Sequence, residues 1–344
     1  MILFSLGPYG PFAAWWDAVI TRIAEAGLGP ATVMGADEPD GLAANLIRST
    51  APNLVATSRR PSPRLRTLLA ESGAPLLVGL GDPREGLHEI VVGHGHALRV
   101  ATQVVGDCCA AAMVCAGLPR ALTIRADEAR RDPAAAINRV AQFCGLTAPP
   151  DLAGIPPPPE PSAPAREWWE GLGAEERALA DGALGAYASW LTGRGFGEIT
   201  WDRKLFRCAA DPERDGGTAI DIGDAPRLLF DGPWIGLPPG HWAASVTLAV
   251  SREISTARFD IAIHASDHPG PLATTSIVPD GRGLGSATLL FTVAPTSGQT
   301  IAFAIVSALP APGGRLALGN VVLTPGPTEG AGIPAELSTA LSLA

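Results

Sequence analysis

The chemistry this chain could do rests on a few short stretches. Gly7-Pro8-Tyr9-Gly10-Pro11-Phe12 follows an apolar run that ends at Leu6. A glycine-rich turn entering a helix offers backbone amides to an anion, and a basic side chain with a hydroxyl completes the charge balance. This loop holds no Lys, Arg, Ser or Thr, and its two prolines remove two amide donors. Gly7, Tyr9 and Gly10 are its candidate cradle residues. Arg84, in Gly81-Asp82-Pro83-Arg84, is the candidate cation, and Arg59 and Arg60 are a second source of positive charge. Downstream, Trp234 and Trp242 flank the turn Leu237-Pro-Pro-Gly240. Their ring faces could stack on a sugar, although a tryptophan opening a strand is more often a core plug than an exposed platform.

Other constellations are weaker. His94 and His96, in Gly93-His-Gly-His, would share a face if the run were a strand, but the glycines favour a loop and zinc spacing is absent, so no metal site is assigned. Asp267-His268 with His264 could form an acid/base pair, yet Asp-His-Pro-Gly is also a turn signature. There is no Gly-x-Ser-x-Gly elbow, HExxH or Rossmann glycine set, and the catalytic residues stay unknown.

The elements that must position these residues change character along the chain. Up to about residue 150, short apolar runs (Ile2 to Leu6, Thr32 to Met34, Asn53 to Ala56, Pro75 to Leu80, Ala121 to Arg125) alternate with helical spacings such as Trp16, Val19, Ile20 and Ile23. Ser62-Pro63 and Asp132-Pro133 are helix starts, a cap residue with proline at the first helical position. This alternation predicts a three-layer α/β domain on a parallel sheet, with ligands at the carboxyl ends of its strands. Residues 151–200 read as a proline-rich linker followed by one connector helix, Ala165 to Leu191. From 201 to 327 the period is two, as in Trp242, Ala244, Val246, Leu248 and Val250, and this predicts an all-β sandwich of jelly-roll type. Residues 328–344 read as a flexible tail.

Composition bounds the partners. The 344 residues carry a net charge of -9, and 25 basic residues include a single lysine, Lys204, with no basic cluster. That argues against nucleic acid or an anionic membrane as partner. No apolar run near twenty residues escapes Gly, Pro or charge, and the first residues lack a basic n-region, so no membrane span and a cytoplasmic location are expected. Five cysteines, odd in number and without a CxxC pair, read as small buried hydrophobes.

Residues 1–150 resemble the sulfotransferase family, whose P-loop-type fold transfers a sulfuryl group from the nucleotide PAPS. The resemblance lies in the order of parts: the opening strand and turn, Gly81-Asp82-Pro83-Arg84-Glu85, then Leu122-Thr-Ile-Arg-Ala-Asp127 and Arg131-Asp132-Pro133 through to Phe143-Cys-Gly-Leu146. It implies that PAPS would lie on Gly7 to Phe12 and be held through Asp82, Pro83 and Arg84. The family's leading arginine falls on Gly81 and its trailing serine near Glu89, so a scaffold with degenerate or lost PAPS binding is expected, with a transferase using another donor as the alternative. Residues 201–325 resemble jelly-roll modules appended to bacterial glycosyltransferases and related surface-polysaccharide proteins. That resemblance implies a glycan or glycan-linked acceptor near Trp234 and Trp242, or a non-catalytic scaffold that binds carbohydrate or a protein partner.

Overall fold

The computed structural model describes residues 2–146, 155–251, 257–266, 268–279, 283–294 and 299–326. The expected tail at 328–344, Asp267 and the first four linker residues lie outside these. The front half alternates β1 (Ile2–Leu6), α1 (Pro11–Leu28), β2 (Ala31–Gly35), α2 (Pro39–Arg48), β3 (Asn53–Ser58), α3 (Pro63–Ser72) and β4 (Leu76–Leu80). It continues with α4 (Pro83–His88), a one-turn π-helical segment Glu89–Gly93, α5 (Leu98–Ala116), β5 (Ala121–Arg125), α6 (Ala126–Arg131) and α7 (Pro133–Phe143). The five strands pair in parallel in the order β2-β3-β1-β4-β5. Alternation within β1 feeds both faces of the sheet. Leu3 joins Trp16, Val19, Ile20 and Ile137 on one side, whereas Phe4 and Leu6 join Leu42, Leu65 and Leu69 on the other. Two helix starts are as the sequence predicts: Ser62 accepts from the Leu65 amide (3.2 Å) and Asp132 from the Ala135 amide (2.9 Å).

The connector is two helices instead of one, α8 (Ala163–Gly171) and α9 (Ala174–Leu191). Gly171 and Gly173 are weak helix formers, Leu172 is extended, and Glu176 turns back to accept the Gly173 amide at 2.9 Å, starting a new helix. The linker before α8 lies on the front domain. Trp15 donates to the Pro156 carbonyl (2.9 Å), Arg130 to that of Pro159 (2.7 Å), and the Ser162 amide to Glu85 (2.9 Å).

The back half comprises β6 (Ile199–Trp201), β7 (Arg207–Cys208), β8 (Asp211–Asp215), β9 (Ile220–Gly223), β10 (Arg227–Gly236), β11 (Gly240–Val250), β12 (Phe259–Ala265), β13 (Pro271–Ile277), β14 (Leu284–Val293), β15 (Thr300–Ser307), β16 (Ala311–Leu318) and β17 (Val321–Pro325). They form two antiparallel sheets, β13-β12-β15-β10-β7-β8 and β6-β17-β11-β16-β9, with β14 paired to β11. Inward residues such as Phe259, Ile261 and Ile263 bury completely or nearly so, which is the sandwich that the two-residue period predicts.

The halves share one core. Val105 and Ala110 of α5 pack in the same cluster as Leu184 and Tyr187 of α9 and Ile235, Leu237 and Phe303 of the sandwich. The approach is close: a Cβ on Gly106 would stand 2.6 Å from Ile235 Cγ2, and one on Gly236 would stand 2.9 Å from Asp107 Oδ1. Helix α5 has the length and hydropathy of a membrane span, but 67% of its span window is buried inside the protein, as in a core helix.

Candidate functional site

The loop after β1 and the turn after β4 do meet, at van der Waals distance. A Cβ on Gly81 would lie 2.9 Å from Pro8 Cγ, and one on Gly10 would lie 3.0 Å from the Glu85 Cβ. Gly10, at φ 106, is in the region glycine alone adopts freely. The anion seat at the start of α1 is taken by the chain itself, because the Gly10 amide donates to the Glu89 carboxylate. A helix N-terminus favours negative charge, and here a glutamate 79 residues away supplies it. The π-helical segment that begins at Glu89 sets that side chain in place.

Little space is left. The cavity between Gly7, Tyr9, Gly81, Gly86 and Cys108 measures about 30 Å³, room for a water or two, and no cation lines it. Arg59 lies against Gly7, but its Nη2 pairs with Asp17 at 2.6 Å. Burial holds the Asp17 carboxyl above its usual range, against the pull of that guanidinium. This pocket does not fit PAPS: the Gly10 amide is engaged, Arg59 is paired with Asp17 through Nη2, and the cavity is far smaller than a nucleotide. Burial pushes the Cys109 thiol beside it up to about 12 and raises Cys108 as well, which disfavours the thiolate a nucleophile needs.

Arg84 faces a different cleft. It pairs with Asp181 (3.0 Å) and stacks 4.6 Å above the Trp169 ring, tying α4 to α8 and α9. With Arg125, Arg130 and Arg194 it lines a depression of about 430 Å³ beyond β4 and β5, which Asp82 and Asp127 also border. Sequence reasoning missed the other three arginines because they come from β5, α6 and the turn after α9, with no spacing to link them.

The largest cavity among those described, about 760 Å³, lies between the domains, at the carboxyl ends of β2 and β3 and under the sandwich. Tyr9, Asp37, Arg60, Gln103 and Asp107 face Trp234, Ser266 and Thr300 across it. Asp107 is 7% exposed; it pairs with Arg60 at 2.9 Å and accepts from Thr300 at 3.3 Å. Burial pushes its carboxyl up to about 6, against the pull of Arg60, the Gly236 amide and Thr300. A perturbed carboxyl in a cleft is a signature of functional sites, and nothing in the run Gly106-Asp107-Cys108 marked it beforehand.

The two tryptophans part company. Trp234 lines this cleft half-buried, with Nε1 donating to Asp231 at 3.0 Å. Its φ of 60 is the only positive value at a non-glycine residue among those described, a strain of about 1–3 kcal/mol for a bulky side chain. Trp242 is 3% exposed and donates to the Pro238 carbonyl at 3.2 Å. The expected sugar platform at Trp242 is therefore corrected to a core plug, because β11 turns it inward with Ala244 and Val246. His94 lies 3.8 Å from Glu89, His88 meets Trp168 edge-on, and no three potential metal ligands cluster among the described residues.

No protein-family model matches the chain, and no curated protein matches it. Among solved structures, the mouse sulfotransferase SULT7A1 complexed with PAP is similar at 13% identity and TM-score 0.40, over 56% of this chain and 86% of that one. The C-terminal CBM6 of LamC, a marine laminarinase from Zobellia galactanivorans, is similar at 13% identity and TM-score 0.25, over 37% of this chain and 98% of that one. A structure described as CBM4 is similar at 13% identity and TM-score 0.21, over 37% and 82%. The architecture itself, a parallel α/β domain followed by an antiparallel sandwich, stands on the strand pairing.

Proposed function

We propose that this chain is a sulfotransferase-like scaffold that has lost PAPS binding and acts in surface-polysaccharide metabolism by recognising a glycan. One observation carries the reading: the Glu89 carboxylate occupies the Gly10 amide, where the donor's phosphosulfate would have to sit. The absence of Lys, Arg, Ser and Thr from Gly7 to Phe12 supports it.

The test is a thermal melt with 3′-phosphoadenosine 5′-phosphate. A native-state ligand at a hundredfold excess over its Kd adds about 2.7 kcal/mol, a rise of several degrees. The expected result is no rise at millimolar nucleotide, with positive spots on a glycan array. A clear rise would overturn the loss of donor binding. It would favour a second reading, an active transferase whose nucleotide phosphates sit among Arg84, Arg125, Arg130 and Arg194.

A further inference from the structure

The cleft between the domains has the size and lining of a small-molecule site. At about 760 Å³ it falls within the usual range for such pockets, and it lies where open α/β sheets present ligands, beyond the carboxyl ends of the strands. Its charge selects among ligands. Asp37, Glu38 and Asp107 outnumber Arg60 and Arg66, and both arginines are engaged, Arg60 with Asp107 at 2.9 Å and Arg66 with the Pro61 carbonyl at 2.7 Å. The starts of α2 and α3 also open here, but Ser62 already caps α3 and donates to Glu38 at 2.7 Å. An anionic ligand would meet net negative charge with no uncommitted cation to receive it.

What remains is polar and neutral, with a ring face. The Trp234 indole is fixed by Asp231 from its own turn, and Gln103 of α5 donates to the Pro233 carbonyl just before it. The backbone holds this tryptophan at φ 60 when a glycine would be at ease there, the kind of local strain that marks a position kept for its side chain. Opposite lie the paired Arg60 donors and the Asp107 oxygens, with hydroxyls of Tyr9, Ser266 and Thr300 around them. A ring face beside such a mixture of donors and acceptors suits a sugar, whose C–H face stacks and whose hydroxyls both give and accept hydrogen bonds.

We infer that the interdomain cleft binds a neutral saccharide, stacked on Trp234 and hydrogen-bonded by the Arg60–Asp107 pair. This rests on the glycan reading above and gives it a location that neither domain contains alone. Both Arg60 and Tyr9 come from the α/β half, whereas Trp234, Ser266 and Thr300 come from the sandwich.

The experiment uses the full chain. An array of neutral, uronic-acid and sulfated oligosaccharides identifies the best binder, which is then titrated calorimetrically into wild type, Trp234→Gly and Ser266→Trp. Glycine suits φ 60, so the first variant removes the ring without forcing the backbone. Ser266 is exposed at the cleft, so the second blocks it without touching the core. A neutral binder is expected, weakened at least about tenfold by either variant, the scale of one lost ring stack. Wild-type affinity in either variant would overturn the cleft assignment while leaving glycan recognition standing. Preference for uronic-acid or sulfated oligosaccharides would overturn the neutral class. An array without any signal would overturn the glycan reading and the site together.

Discussion

Asp107 converts burial into a measurable slope. Its carboxyl is raised from the ordinary 3.8 to about 6, with burial as the largest cause. Between those values the folded protein keeps a proton that the unfolded chain has released, so stability falls as pH rises through about 6 and levels off about a unit above it. One unit of difference is worth about 1.4 kcal/mol, so the whole shift amounts to about 3 kcal/mol, of which about 2 kcal/mol falls between about pH 4.5 and about pH 7.5. Asp107→Asn keeps an oxygen for Thr300 and the Gly236 amide but cannot ionise. Urea unfolding of both proteins across that window should show wild type losing about 2 kcal/mol relative to the variant as pH rises. Parallel curves, or a wild type that gains relative to the variant, would refute the claim that burial outweighs the pull of Arg60.

Three further outcomes follow from the packing. Trp242→Ala should cost about 3–5 kcal/mol in urea unfolding as a core truncation, yet leave saccharide affinity unchanged in whatever fraction stays folded. Gly236→Ala, whose Cβ would meet Asp107 Oδ1 at 2.9 Å and the Ala110 Cβ at 3.0 Å, should cost about 1–3 kcal/mol by the same assay. Glu89→Ala removes the acceptor from the Gly10 amide, so a loss of about 1–2 kcal/mol is expected, with 3′-phosphoadenosine 5′-phosphate still producing no thermal shift in the variant because the cavity stays small.

The layered half was legible because its signals are local. An apolar run such as Leu76–Leu80, buried along its whole length, and a cap such as Asp132 before Pro133 state their roles within a few residues. The alternation from Trp242 to Val250 even held the answer about Trp242, since it shares its face with Ala244 and Val246. What escaped the sequence depends on distant partners. Glu89 reaches Gly10 across 79 residues, and Asp107 meets Thr300 across 193. No periodicity encodes such pairs, because they exist only after α5 has been packed on both sides. The break between α8 and α9 was readable in Gly171 and Gly173 but was outweighed by the strong helix formers around them.

That doubly packed helix has a consequence for how the protein can be divided. Cut free of the sandwich, the α/β half would turn Val105, Ala110, Ile90 and the flank of α9 toward water. Such a fragment should self-associate, and the sandwich, stripped of α9, should fare no better. Two architectures that share one core should therefore melt as one cooperative body, with a single calorimetric transition. Their border, plain in the primary structure, is a line along which the polypeptide changes style without being separable into working parts.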